Sequence, residues 1–309
     1  MSSVASGRTG AARFIDPKVL ARISNLELLA RTVVDGFVSG LHVAAHLGNS
    51  TDFAEHRAYV PGDDVRRIDW RVFARTDRLY VKTFEAQTNT DLIVALDTSA
   101  SMNFGSGEIA KFDYARFIAA TLVYLAARQR DRVGLMTFDA TVTDAIPAAT
   151  RHRDKILRTL PTLTPHGAGD LGTALSDMTI HLKRRGMVVV ISDFYDEPNA
   201  VATALDELRV RGHDIIALHV LDPLERNFAL DTGAQPTVIE DLETGERMPL
   251  IASALQDDYQ TLVSTHLADL EKACGSRRID YAAFSCEEPL DAMLFHYLSR
   301  RARLARTFS

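Results

Sequence analysis

The chain has 309 residues, of which 41 are acidic and 35 basic, for a formal net charge of −6, with 46% apolar and 25% charged residues. A chain of this length buries roughly three quarters of its unfolded surface, so it folds without cross-links as one large or two ordinary domains. Its two cysteines, Cys274 and Cys286, exclude a disulfide scaffold and show no metal-type spacing. No apolar run approaches the roughly 20 residues of a membrane helix. The opening MSSVASGRTGAARF lacks the apolar segment of a signal peptide, and the acidic balance argues against nucleic acid. These features predict a cytoplasmic globular protein.

Residues 1–14 are small and polar and read as a flexible N-terminus. A helix is predicted from Asp16 and Pro17, with apolar Leu20, Ile23, Leu26, Leu29 and Val33 on one stripe and Gly36 and Gly40 at its end. A turn-rich stretch and the alternating run RLYVKTFEA, read as a strand, complete an N-terminal helix with a small β-rich extension over residues 15–88. From residue 89 to 309 strands and helices alternate. DLIVALD, DRVGLMTF, MVVVISD, HDIIALHV and RIDYAAF read as buried strands, and TVTDAI as a short edge strand. KFDYARFIAATLVYLAARQR, DKILRTL, LGTALSDMTIHLKRR, NAVATALDELRVR, SALQDDYQTLVSTHLADLEKAC and PLDAMLFHYLSRR read as helices. An interruption at about 224–250 contains a hairpin, TVIEDLETGERMPL, with Thr244-Gly245 in its turn. This succession predicts an α/β fold: a doubly wound, mostly parallel sheet of the Rossmann type, covered by helices on both faces.

In such sheets ligands bind outside the carboxyl ends of the strands, where strand order reverses. The polar residues following each strand are therefore the candidate site. DLIVALD runs into Asp97, Ser99 and Ser101, and MVVVIS runs into Asp193. Carboxylates and hydroxyls at two strand ends form a hard oxygen cluster suited to Mg²⁺, or to Mn²⁺ or Ca²⁺. If the neutral hydroxyls meet the ion while the carboxylates act through water, its charge is poorly quenched and attracts an outside carboxylate. The alternative is that these side chains only satisfy free amides at a strand-to-helix turn.

Asp97-x-Ser99-x-Ser101 with Asp193 resembles the metal-ion-dependent adhesion site of von Willebrand factor A domains. The string Arg57-Ala-Tyr59-Val-Pro61-Gly62-Asp63-Asp64-Val-Arg66-Arg67-Ile68-Asp69-Trp70, followed by Ala74-Arg75, resembles the signature of the bacterial domain-of-unknown-function family numbered fifty-eight, whose members carry such an A domain. The resemblance implies a von Willebrand factor A-like domain and, as partner, a MoxR-type AAA+ ATPase in complex assembly or maturation. It also marks a departure. Where A domains place a threonine ligand, the stretch Gly167-Ala168-Gly169-Asp170-Leu171-Gly172-Thr173 sets Gly169, so Asp170 is the substitute candidate and Thr173 falls a turn too far along.

Three functions compete. The first is a non-enzymatic interaction module with a divalent-metal site at Asp97, Ser99, Ser101, Asp193 and Asp170, no nucleic-acid partner and no membrane insertion. The second is a Mg²⁺-dependent phosphoryl-transfer or hydrolytic enzyme with Asp97 as nucleophile; Ser99 in place of a second aspartate, and no basic residue beside the loop nearer than Lys111 at a helix start, speak against it. The third is a degenerate, metal-free binding domain. Arg67 and Trp70 are candidate partner-binding residues, or else anchors of an internal Arg–Asp network. Gly105-Ser-Gly107 comes too late after its strand for a dinucleotide fingerprint, and no phosphate-binding G-x-x-x-x-G-K-[ST] loop is present.

Overall fold

The computed structural model describes residues 25–45, 56–58, 75, 78, 80–82, 90–230 and 235–291. The chain divides into two compact units, Met1–Val38 with Thr90–Ser309, and Ser39–Asn89. Helix α1 (Leu26–Ala45) begins at an Asn25 cap, whose Oδ1 accepts the N–H groups of Glu27 and Leu28 at 2.9 and 3.2 Å. The start expected at Asp16 and Pro17 lies outside the described residues. Gly36 and Gly40 do not end the helix, contrary to the sequence expectation. A glycine inside a helix costs only about 1 kcal/mol, and Phe37 and Leu41 continue the apolar spacing set by Val33.

In the second unit, β1 (His56–Ala58) pairs antiparallel with β2 (Tyr80–Lys82), which is the described part of the expected strand RLYVKTFEA. Trp70, Arg67 and nearly all of the signature string lie outside the described residues.

The first unit continues with β3 (Asp91–Asp97), α2 (Lys111–Arg128), β4 (Arg132–Phe138), β5 (Val142–Ala149) and α3 (Arg153–Thr159). Then come α4 (Leu171–His181), β6 (Met187–Ser192), α5 (Pro198–Val210), β7 (Asp214–Leu221) and the short α6 (Pro223–Asn227). A hairpin of β8 (Thr237–Glu240) and β9 (Arg247–Leu250) precedes the long α7 (Ala252–Ser276) and β10 (Asp280–Ser285). Six strands form one sheet in the order β10-β7-β6-β3-β4-β5. All pairs are parallel except β4 with β5, an antiparallel edge that extends the expected TVTDAI strand to Ala149 and tolerates Pro147 because it lies at the rim.

The central strand β3 is buried along its whole length, as a strand covered on both faces must be. Alternate residues divide between two cores. Leu92, Val94 and Leu96 pack with α1, α2 and α3, whereas Ile93 and Ala95 pack with α4, α5 and α7. This is the doubly wound, mostly parallel α/β architecture the sequence predicts. Helix α4 stops at His181, short of the expected LKRR continuation. Gly186, just before β6, passes so close to β3 that a Cβ there would collide with the Asp91 carbonyl oxygen. Both cysteines are buried and free. Among the described residues no helix is long and apolar enough to cross a membrane.

The chain winds from β3 outward through β4 and β5, then returns to the other side of β3 for β6, β7 and β10. Strand order therefore reverses between β3 and β6, which opens a crevice at their carboxyl ends. Ile118, fully buried on α2, couples that helix to the sheet; Ile118→Ala is expected to lower the unfolding free energy by about 2–5 kcal/mol, measured by urea denaturation.

Candidate metal and docking site

Asp97, Ser99, Ser101, Asp170 and Asp193 all line one cleft of about 260 Å³ at the β3–β6 switch point. The loop after β3 is held from two sides. Thr98 donates its N–H and hydroxyl to the Phe138 carbonyl at 2.7 and 2.9 Å, and the Ala100 N–H reaches the Gly167 carbonyl at 2.9 Å. Asp97 Oδ1 accepts the Ser99 N–H at 2.8 Å, and its Oδ2 accepts the Ser192 hydroxyl at 2.6 Å. The Ser99 and Ser101 hydroxyl oxygens lie 3.0 Å apart.

Asp193 follows Ser192 at the end of β6 and is bound by a residue the sequence did not place here. Lys111, the first residue of α2, is wholly buried and donates from Nζ to Asp193 Oδ2 and to Glu225 Oε1, each at 2.7 Å. Glu225 is fixed in turn by a capping box, in which its Oε2 accepts the Asp222 N–H at 3.1 Å. Burial alone would push the Lys111 amine down, but the Asp193 and Glu225 carboxylates outweigh it and hold the amine above its ordinary value. Asp222 also receives the Ser106 N–H and hydroxyl at 2.9 and 2.5 Å, so the glycine pair around Ser106 is a tethered structural loop.

The turn after β6 is strained. Phe194 adopts φ +42°, a conformation uncommon for a bulky residue. Its buried ring packs edge-on against the fully buried His219 of β7, with centroids 5.6 Å apart, and this packing holds the turn. The next ring, Tyr195, lies under the Lys111 amine, 4.9 Å from its centroid. The amine of Lys111, the nearest basic residue the sequence offered, is thus paired with Asp193 and Glu225 and not with the Asp97 loop.

The third loop carries one of the expected residues, Asp170. Asp170 caps α4, its Oδ1 accepting the Thr173 N–H at 2.9 Å and its Oδ2 the Thr173 hydroxyl at 2.8 Å. These bonds stabilise the ionised carboxylate, hold the Asp170 pKa below its ordinary value, and engage both of its oxygens at the rim of the cleft. Thr173 is turned to that cap and does not line the cleft. The hairpin contributes Asp241 and Glu243 to the cleft wall.

Electrostatically the cleft is one-sided. Asp97, Asp139, Asp170, Asp193, Asp196, Asp241 and Glu243 line it. Burial and the neighbouring Asp193 push Asp97 up to about 7, against the opposing bonds from Ser192 and Ser99. Among the described residues no three His, Cys, Asp or Glu side chains could hold a metal by themselves, so a cation here needs the serine hydroxyls as well.

Residues 55–269 match the family described as "Protein of unknown function DUF58". The chain belongs to the DUF58 family. Uncharacterized proteins of Mycobacterium tuberculosis and Mycobacterium bovis are each 34% identical to it over 270 residues, 84% of this chain and 84% of theirs. Among solved structures it is similar to BatB from Bacteroides thetaiotaomicron, at 16% identity and TM-score 0.47, covering 69% of this chain and 99% of that one. It is also similar to the SpRpn10 VWA domain, at 13% identity and TM-score 0.43, covering 69% of this chain and 95% of that one.

One local feature of the DUF58 sequence bears on Lys111, although it does not mark it as a site residue. A lysine at a helix N-terminus opposes the helix dipole, so its place there calls for a compensating carboxylate elsewhere in the fold. Glu225 was legible only as the last member of the capping box Asp222-Pro-Leu-Glu225.

Lys111→Met leaves two buried carboxylates without their cation and is expected to destabilise the fold by about 3–5 kcal/mol, read by denaturant unfolding. Asp97 keeps a proton in the folded state that the unfolded chain releases near pH 4. The carboxylate therefore costs increasing stability as pH rises from about 4 to about 7, and a constant amount above that. In chelator-containing buffer, the melting temperature of Asp97→Asn minus that of wild type is expected to grow across this window and then level off.

Proposed function

We propose that this DUF58 protein is a non-enzymatic protein-interaction module that docks partners at the β3–β6 cleft through a hard divalent cation, Mg²⁺ or its relatives Mn²⁺ and Ca²⁺. The observation that carries this reading is the convergence of Asp97, Ser99, Ser101 and Asp193 on one cleft, with Asp170 at its rim. The donor set fits such an ion: all oxygen, part neutral hydroxyl and part carboxylate. Ser99 and Ser101 would touch it, while Asp97 and Asp193 supply charge from behind their existing hydrogen bonds. Because Lys111 already draws on Asp193, the ion keeps surplus positive charge with which to hold a partner's carboxylate.

A second surface supports the same reading. Beside the cleft runs a mostly apolar groove of about 590 Å³, walled by Phe104, Tyr195, Phe228, Val238, Leu242 and Leu255. It shares Ser101, Tyr195 and Asp241 with the cleft. Val238 and Leu242 are exposed on the hairpin at 59% and 45%. A partner segment presenting an acidic residue next to an apolar one matches this pair of surfaces. The finer assignment, a MoxR-type AAA+ ATPase engaged in the cytoplasm during complex assembly or maturation, rests on the signature string Arg57 to Trp70.

The enzyme reading is less well supported. Both Asp97 oxygens are engaged by Ser99 and Ser192, and the Lys111 amine is held between two carboxylates, so neither is poised for a transferred group.

Millimolar Mg²⁺ or Mn²⁺ is expected to raise the melting temperature of the wild type and not of Asp97→Ala; absence of a shift in either sinks the metal reading. A MoxR-type ATPase from the same genome is expected to co-purify with the wild type and to be lost with Asp97→Ala and with Val238→Asp. Retention by both variants would remove this cleft and groove as the docking surface, and absence of binding to the wild type would remove the ATPase.

A further inference from the structure

The turn of the β8–β9 hairpin is built stiffly and aimed inward. Asp241 Oδ1 accepts the Glu243 and Thr244 N–H groups at 2.8 and 3.4 Å, and its Oδ2 accepts the Thr244 hydroxyl at 2.9 Å. The Gly245 N–H closes the turn on the Asp241 carbonyl at 2.8 Å. Within residues 240–249 every side chain is exposed except that of Glu243, which is partly buried. Its carboxylate lies against the third loop at Gly169, a position that carries no side chain. A Cβ on Gly169 would sit 3.2 Å from Ser99 Cβ, 3.6 Å from Ser99 Oγ and 3.4 Å from Glu243 Oε1. The space left by the absent side chain at 169 is thus bordered by the Ser99 hydroxyl on one side and a glutamate oxygen on the other.

The cleft wall is already crowded with aspartates, and like charges at this range repel unless a cation lies between them. The arginine of the hairpin, Arg247, is bound instead to Glu240 at 2.8 Å. Among the described residues no lysine, arginine or histidine is within ion-pair distance of Glu243. A partly buried carboxylate on a braced turn, lining a cleft with six aspartates and paired with no basic side chain among the described residues, is suited to meet a cation there.

We propose that Glu243 is the ligand that Gly169 does not provide: the hairpin reaches back across the cleft and completes the cation site with a tethered carboxylate of the same chain. This rests on the metal reading above and assigns the hairpin a role in it. Glycine at 169 leaves room for this, since even a Cβ there would already touch Glu243 Oε1 at 3.4 Å and crowd Ser99 Cβ at 3.2 Å. A partner's acidic residue must share the ion with Glu243 or displace it, which makes the hairpin, whose outer strand residues wall the apolar groove, the element that couples groove and cleft.

The test uses the full chain and Mn²⁺ alone, titrated by calorimetry, with amide hydrogen exchange of residues 237–250 as a second readout. Glu243→Gln is expected to weaken Mn²⁺ binding by about tenfold or more, the scale on which losing a metal-site partner acts. Glu246→Gln, an exposed position on the same turn, is expected to leave binding unchanged. Mn²⁺ is expected to slow hairpin exchange in the wild type and not in Glu243→Gln. If Asp97→Ala abolishes binding while Glu243→Gln binds as tightly as wild type, or hairpin exchange ignores Mn²⁺, the role of Glu243 is overturned and the metal site stands. If the wild type binds no Mn²⁺, the metal reading fails and this inference with it.

Discussion

Lys111 is an ammonium group shut away from water between two carboxylates that follow it by 82 and 114 residues. Removing such a charge from solvent costs several kcal/mol, and only close, well-directed pairing offsets that cost. The pairing therefore locks three separate pieces of chain together: the start of α2, the turn after β6 and the short helix α6. Asp193 cannot reorient without stranding the lysine, and Glu225 cannot move without opening its capping box. The strained Phe194 backbone persists because this lock and the packing of its ring on His219 together over-determine the turn.

The same lock shapes the chemistry of the cleft. An isolated pair of buried carboxylates would take up a proton or a cation; here Lys111 compensates Asp193, while Asp97, facing it, remains costly to ionise. Burial and mutual repulsion raise that cost, and hydrogen bonds from Ser192 and Ser99 reduce it only in part. The fold thus concentrates negative charge at the one crevice where strand order reverses, and leaves two serine hydroxyls beside it. Local stability is given up there, as proteins do at functional sites.

The hairpin and the groove extend this site beyond the sheet. Braced turns hold their side chains in place at little entropic cost, so Glu243 is presented to the cleft while Val238 and Leu242 face the groove beside it. Apolar and acidic side chains facing the groove and the cleft are thus carried by the same few residues of backbone.

Much of this was legible in the linear chain, because the information is local. Continuous apolar runs identified the strands, three-to-four spacing identified the helices, and the rule that ligands gather at strand ends singled out Asp97, Ser99, Ser101 and Asp193, which do line one cleft. Local signals failed where a neighbour across the fold decided the outcome. Glycines at 36 and 40 did not stop α1, since the apolar spacing continues past them, and α4 ended at His181 although its LKRR continuation reads as helical. Lys111, Glu225 and Glu243 carry no motif that marks them as site residues. Composition and periodicity determined which segments are buried and where the polar loops begin; only tertiary structure decided which distant charges meet, because burial is written in each residue's own pattern whereas an ion pair is a property of two chain positions brought together by the winding of the sheet.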